Sequence, residues 1–330
     1  MNLTGKTILV TGGTGSFGQA FVGALLKSYR PRKIIVFSRD ELKQYDMRQK
    51  FGDPSALRFF LGDVRDQKRL HRAFDGVDIV VHAAALKQVP TLEYNPFEAI
   101  KTNVLGAENV VNEAIERGVK KVVALSTDKA VNPANLYGAT KLCAEKLFIS
   151  GNHYSGNHPT RFSIVRYGNV VGSRGSIVPL FLKEKGSGIL PSTDERMTRI
   201  CSTLDQAVAL VLHALEDMKG GEIYIPKIPS MKVTDLAKAL APRARLRFIG
   251  IRPGEKLHEM LMTENESALA EDHKQWYVIR ALGGVPAKNK KRKNALPEGY
   301  TYTSNANKEW LSPPEIKRLI EHALARELIL

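Results

Sequence analysis

The chain has 330 residues, 43% of them hydrophobic and 25% charged, with a formal net charge of +15. This is ordinary composition for a folded protein whose core is large enough to need no cross-links, and the positive balance suits small polyanionic ligands. The cysteines, Cys143 and Cys201, lie far apart in no ligand spacing, which argues against a disulfide framework or a cysteine metal site and for a reducing compartment.

The chain runs directly into an apolar stretch at 7–10, too short for a secretion signal, and no later run is long enough to span a bilayer; a cytoplasmic location and no membrane partner are expected. Residues 7–10, 33–37, 57–61, 78–81, 121–125 and 163–167 read as strands buried on both faces, because they are apolar without alternating with polar residues. Amphipathic stretches at 18–29, 67–74, 97–117 and 137–150 separate them. That order predicts an α/β protein with a Rossmann-type, doubly wound parallel sheet, which binds ligands beyond the carboxyl ends of its strands.

After residue 167 the alternation stops, and Gly168, Gly172, Gly175, Gly186 and Gly188 mark loops. A helix at 203–217 is expected to return to the first domain. Short strands at 222–226 and 246–249 and short helices at 233–240 and 255–262 make a smaller, discontinuous α+β domain. The only concentrated basic run, KNKKRK at 288–293, has no interleaved aromatic residues and lies between Pro286 and Pro297, so it reads as a solvated loop and no nucleic-acid partner is expected. A last helix at 310–326 starts on Ser312 and Pro313. The expected domains are 1–170 plus a helix at about 203–218, and 171–202 with 219–330.

Directly after the first strand comes TGGTGSFG at 11–18. Gly12, Gly15 and Gly18 allow a tight turn, close approach of a pyrophosphate and close helix packing, and the helix start offers amides to the phosphates. Thr14, Ser16 and Phe17 fill the same turn and are expected at the dinucleotide. The second strand ends in Ser38, Arg39 and Asp40, with Lys43 nearby. Arg39 in the leading place favours the 2′-phosphate of NADP over the free ribose of NAD, although Asp40 blurs the choice. Asp63 and Val64 are placed for the adenine. Ala83 is small enough for the cofactor to pass, and Val170 is also expected beside it.

Past the strand at 121–125 the chain reads Ser126-Thr127-Asp128-Lys129, then places Tyr137 and Lys141 four apart on one helix face. A phenol has a pKa of about 10. A nearby ammonium and an oxidised nicotinamide would both favour the phenolate, so that Tyr137 can take a hydroxyl proton while the carbon beneath it gives up hydride.

These motifs, with HAAALK at 82–87, STDKAVNPANLYGATK at 126–141, RYGNVVGSRGSIVP at 166–179 and IGIRPGEKLHE at 249–259, resemble the inverting UDP-N-acetylglucosamine 4,6-dehydratases, extended short-chain dehydrogenase/reductases that begin pseudaminic acid synthesis. The likeness covers nearly the whole chain except 272–308. It implies the substrate UDP-N-acetylglucosamine, NADP as cofactor, no metal, a role in flagellin glycosylation and a homo-oligomer, from a dimer up to a hexamer. It also implies the chemistry. Tyr137 and Lys141 assist oxidation at C4, Thr127 polarises the C4 oxygen, Lys129 takes the C5 proton and Asp128 protonates the departing C6 hydroxyl. Relatives that retain the C5 configuration carry Asp-Glu where this chain has Asp128-Lys129. By the same resemblance Lys87 and Asn169 contact the sugar, Arg199 and Arg252 bind the diphosphate, and Glu255 takes the uridine ribose.

Electrostatics add a demand. Lys129 must be neutral to act as a base and Asp128 protonated to act as an acid, so direct pairing would oppose both. The two side chains are therefore expected to point at different substrate atoms. A 4-epimerase needs only Tyr137 and Lys141 and has no use for Lys129. A non-enzymatic redox sensor predicts a damaged Tyr-Lys pair or a missing substrate grip, and this sequence has neither defect.

Overall fold

The strand β1 (Thr7–Thr11) is buried along its whole length, as a strand covered on both faces must be. The computed structural model describes residues 3–171, 177–184, 186, 188–280 and 294–329; the basic run at 288–293 and Gly172 and Gly175 lie outside them. From β1 the chain alternates: α1 (Ser16–Ser28), β2 (Lys33–Ser38), α2 (Glu41–Phe51), β3 (Leu57–Leu61), α3 (Gln67–Ala73) and β4 (Ile79–His82). Then follow α4 (Val89–Tyr94), α5 (Pro96–Ile100), α6 (Gly106–Glu116), β5 (Lys121–Thr127), α7 (Leu136–Tyr154) and β6 (Arg161–Tyr167).

The strands pair in parallel in the order β3-β2-β1-β4-β5-β6, the doubly wound arrangement. Alternate residues of each strand feed opposite cores. Leu9, Ile35, Val80 and Val122 pack with Leu70, Val110 and Phe148 of α3, α6 and α7. Ile8, Val10, Val36 and Val123 pack with Phe21 and Leu25 of α1 and with Val211 and Leu215 of the helix Leu204–Asp217. Burying one such large side chain contributes about 1.5–3 kcal/mol. The helix at Leu204–Asp217 thus returns to the main sheet, started by a capping box of Thr203 and Gln206. A third core, around Phe181, Leu190, Leu236, Leu240, Ile316 and Ile320, holds the second unit together.

Three expectations need correction. The large sheet does not end at β6: Ile223–Pro226 adds to it in parallel, and Trp276–Ile279 and Ala270–Asp272 add antiparallel strands. Hydrogen bonding therefore takes these strands out of the unit expected over 219–330. The helix expected at 97–117 is interrupted by a π-helical turn, Lys101–Leu105. There the Asn103 side chain bonds both N and O of Leu86, at 2.8 and 2.9 Å, and so fixes the loop before Lys87. The helix expected at 255–262 is absent. Its spacing is helical, but Met260–Met262 pairs with Tyr302–Thr303 as a strand, and Leu257 O accepts the amide of Thr198.

Candidate active site

Beyond the carboxyl ends of β1, β2, β4 and β5 lies a cavity of about 590 Å³. Gly12 forms its first wall. It has φ +63°, and a Cβ there would stand 2.8 Å from the backbone of Ala84, so only glycine lets β1 turn against β4. The start of α1 faces the same space through Gly15, Ser16, Phe17 and Gly18, with no acidic side chain in its first turn. Such a helix start suits a phosphate. Thr14, Ser38, Arg39, Asp40, Lys43, Asp63, Val64, Ala83, Lys141 and Val170 line the cavity as well.

At the β2 end, the Asp40 carboxylate accepts the amide of Lys43 at 3.0 Å and pairs with the Lys43 ammonium at 2.6 Å. It is the N-cap of α2, so its charge is already engaged. Arg39 is half-exposed and lies 3.4 Å from Asp63, whose carboxylate also takes the guanidinium of Arg65. His82 is buried, with Nδ1 2.8 Å from Thr11 Oγ1. Burial, then the charge of Lys141, pulls its pKa down to about 3, so it is a neutral tie between β4 and β1. Burial also lowers the pKa of Lys87, which lines the cavity.

The candidate reactive residues sit where β5 ends. Thr127 closes the strand and donates to Asp128 Oδ1 at 2.8 Å. A tight 3₁₀ turn, Asp128–Ala130, follows. It lies so close to α7 that a Cβ on Gly138 would fall 2.1 Å from Lys129 O. Asn135 caps α7 by accepting from Gly138 N at 2.8 Å, and its Nδ2 donates to Gly254 O at 2.7 Å. This one side chain joins the helix bearing Tyr137 and Lys141 to the turn at 252–255. Arg166, fully buried, bonds Glu145 of α7 at 2.7 Å, Glu266 at 2.9 Å and Leu261 O, and so fastens the segment 261–266 to the same helix.

Thr127, Asp128, Lys129, Tyr137, Lys141, Lys87 and Asn169 all border the cavity. Lys129 does not point away from Asp128 as the sequence argument expected: its Nζ lies 3.1 Å from Asp128 Oδ1 and 3.3 Å from Glu259 Oε1. Nor does its pKa fall. Burial pulls it down, but the carboxylates of Asp128 and Glu259 outweigh burial and raise it. Burial pushes the Tyr137 phenol up to about 12, with Lys129 and a Thr127 hydrogen bond opposing, so the protein alone does not favour the phenolate. Burial brings Lys141 down to about 8 against the pull of Glu145.

Arg199, Arg252 and Glu255 lie outside the cavity lining. Arg199 is buried, 3.5 Å from Glu255 and 3.7 Å from Glu259, and Arg252 is exposed on its turn. Glu259, beside both Lys129 and Arg199, is the site neighbour that sequence reasoning missed. It stands four residues after Glu255 in GEKLHE, but the expected helix at 255–262 gave it no special place. Asp128 Oδ2, Asn169 Oδ1, Ser126 Oγ and Thr102 Oγ1 are buried without a hydrogen-bond partner among the described residues, and all four residues line the cavity. A buried polar atom left unpaired costs about 1–3 kcal/mol, so these atoms mark where a polar ligand fits.

The model of the polysaccharide biosynthesis protein family matches residues 8–281. A protein of Campylobacter jejuni named UDP-N-acetylglucosamine 4,6-dehydratase (inverting) is 52% identical over 327 residues, covering 96% of this chain and 98% of its own. A Rickettsia conorii protein named UDP-glucose 4-epimerase is 44% identical over 96% of this chain and 95% of its own. Among solved structures, Pen from Bacillus thuringiensis superposes with a TM-score of 0.89 at 37% identity, over 98% of this chain and all of that one. DesIV, a dTDP-glucose 4,6-dehydratase from Streptomyces venezuelae with NAD and TYD bound, superposes with a TM-score of 0.67 at 25% identity, over 76% of this chain and 86% of that one. The chain belongs to the polysaccharide biosynthesis protein family, in company with the inverting UDP-N-acetylglucosamine 4,6-dehydratase of Campylobacter jejuni.

Proposed function

We propose that the protein is a UDP-N-acetylglucosamine 4,6-dehydratase that inverts C5 and yields a 4-keto, 6-deoxy sugar nucleotide. The observation that carries this reading is the Asp128–Lys129 pair at the end of β5, bordering one cavity with Tyr137 and Lys141. A nicotinamide cofactor fits the glycine turn, the helix start and the unpartnered polar atoms above. When bound, it supplies the hydride acceptor for C4 and the hydride donor for C6. NADP is the favoured form, because Arg39 stands at the β2 end, half-exposed and held, among the described residues, only by a 3.4 Å contact to Asp63, while Asp40 is committed to capping α2 and to Lys43. The NAD held by the DesIV structure belongs to that protein and leaves the choice to experiment.

In this reading Tyr137 takes the proton of the C4 hydroxyl, Lys141 offsets the phenolate charge and Thr127 hydrogen-bonds the C4 oxygen. The pairing of Lys129 with Asp128 becomes useful rather than obstructive. A proton passing from Lys129 Nζ to Asp128 Oδ1, across 3.1 Å, turns the ion pair into an amine and a carboxylic acid together. Elimination then reverses it: the amine gains the C5 proton, the acid gives its proton to the departing C6 hydroxyl, and water leaves. Lys87 and Asn169 contact the sugar, Arg199 and Arg252 take the diphosphate and Glu255 takes the uridine ribose. A guanidinium fork suits phosphate oxygens, and a carboxylate suits paired hydroxyls.

No helix among the described residues is long and apolar enough to cross a membrane. A cytoplasmic location, assembly as a dimer or larger homo-oligomer, and service to pseudaminic acid synthesis and flagellin glycosylation complete the proposal. The name of the Rickettsia relative raises 4-epimerisation, which leaves Lys129 without a task. Incubation with UDP-N-acetylglucosamine in heavy water, read by NMR, separates the two. A 6-methyl, 4-keto product with inverted and deuterated C5 is expected, and a product that keeps its 6-hydroxyl would overturn the reading.

A further inference from the structure

Glu259 has no part in the chemistry above, yet its carboxylate is 3% exposed and lies directly beneath the reactive turn. Oε1 is 3.3 Å from Lys129 Nζ and 3.7 Å from Arg199 Nε, and Oε2 is buried without a partner among the described residues. The backbone beneath it is pinned, because Ser304 Oγ accepts the Glu259 amide at 2.9 Å and Ser304 N donates to Glu259 O at 2.8 Å. A buried carboxylate with its backbone held this firmly can fix where the lysine beside it sits.

We propose that Glu259 is a positioning residue for Lys129: its carboxylate, bridging Lys129 and Arg199, sets where the amine sits and how strongly it binds a proton. The inference rests on the dehydratase reading for the task of Lys129. A more basic amine is a stronger acceptor for the C5 proton, but it hands its own proton to Asp128 less readily. Glu259 therefore trades population for strength. Six groups act on this centre: Asp128 on the same turn, Tyr137 on α7, Arg199 and Cys201 on the strand Thr198–Ser202, and Lys256 and Glu259 on the segment that follows the 252–255 turn. Of these, Asp128 and Glu259 are the carboxylates that raise the proton affinity of Lys129, against its burial and the opposing charge of Arg199.

The test is the rate of solvent deuterium entry at C5 of UDP-N-acetylglucosamine, measured against pH for the wild type, Glu259→Gln and Glu259→Asp. In Glu259→Gln the acidic limb is expected to move about 1 pH unit or more to lower pH while the plateau falls about tenfold. In Glu259→Asp the limb is expected to stay near the wild-type position. A plateau that falls in Glu259→Gln with its limb unmoved would mean a merely structural role and overturn the proposal. A second measurement reads the lysine directly: nitrogen NMR of the Lys129 ammonium in the wild type and in Glu259→Gln, assigned by its loss in Lys129→Arg. A lower titration in Glu259→Gln than in the wild type supports the proposal, and an unchanged titration overturns it. If the wild type shows no exchange at C5, the dehydratase reading fails, and the NMR titration still decides the role of Glu259.

Discussion

Lys129 Nζ and Asp128 Oδ1 are hydrogen-bonded at 3.1 Å, so the base and the acid proposed for the elimination are partners in one ion pair. Side chains of adjacent residues usually diverge. Here the 3₁₀ turn, pressed against Gly138, brings them back together.

Removing the amine tests its task directly. Lys129→Ala is expected to lower solvent deuterium entry at C5 by about 10²–10⁴-fold, the usual worth of a general base. Oxidation at C4 should survive, because it depends on Tyr137 and Lys141. The absorbance of reduced cofactor after mixing with substrate reads that step. Unchanged C5 exchange would remove Lys129 as the base.

Arg39 is the residue proposed to favour NADP. Losing a charge-assisted bond to a phosphate costs about 1.5–3 kcal/mol, so Arg39→Ala should weaken NADP about ten- to hundredfold and leave NAD nearly unchanged. Titration calorimetry with both cofactors measures this. Equal losses for the two would mean that Arg39 does not read the 2′-phosphate.

Gly138→Ala is predicted to disable the site without unfolding the protein. The new methyl would meet Lys129 O at 2.1 Å, a contact that only movement of the turn can relieve. Reaction geometry tolerates little displacement, and a shift of about 1 Å can cost about 10²-fold in rate. Turnover and thermal unfolding measured together distinguish this from global loss. Retention of full turnover would count against the turn as the reactive element.

Lys141 links stability to pH. Its ordinary pKa of 10.5 falls to about 8 in the fold, chiefly through burial. Between those values the unfolded chain holds a proton that the folded one has released, so stability from this group rises as pH climbs through that window. Below it both states are charged, and the folded state bears the whole burial penalty. Lys141→Met should therefore be more stable than the wild type at pH 7, by about 3 kcal/mol, with the gap closing as pH rises from about 8 toward 10.5. Denaturant melts across that range are the check, and a gap independent of pH would contradict it.

The nucleotide half of the fold was legible because strands covered on both faces spell continuous apolar runs, and because the glycine turn sits between a strand and a helix. The residues at 126–141 were legible for the same reason, since their spacing places them at the end of a strand and on the next helix. The second unit was harder to read. EKLHEMLM has helical spacing, yet its backbone bonds go to Thr198 and to Tyr302–Thr303, partners remote in sequence that periodicity does not reveal. The π-helical turn at Lys101–Leu105 was hidden likewise, because it answers to Leu86 on another element. Glu259 escaped because its importance lies in Lys129 and Arg199, which only folding brings beside it.

Asn135 belongs to two walls at once. It starts the helix that carries the phenol, and it grips Gly254 in the arm proposed to clasp the nucleotide. An arm hung from that peg cannot swing without tugging the first turn of the helix. A poorly seated nucleotide would therefore be felt some way off, as a tyrosine slightly out of line with its sugar, and discrimination among substrates would show in turnover as well as in affinity.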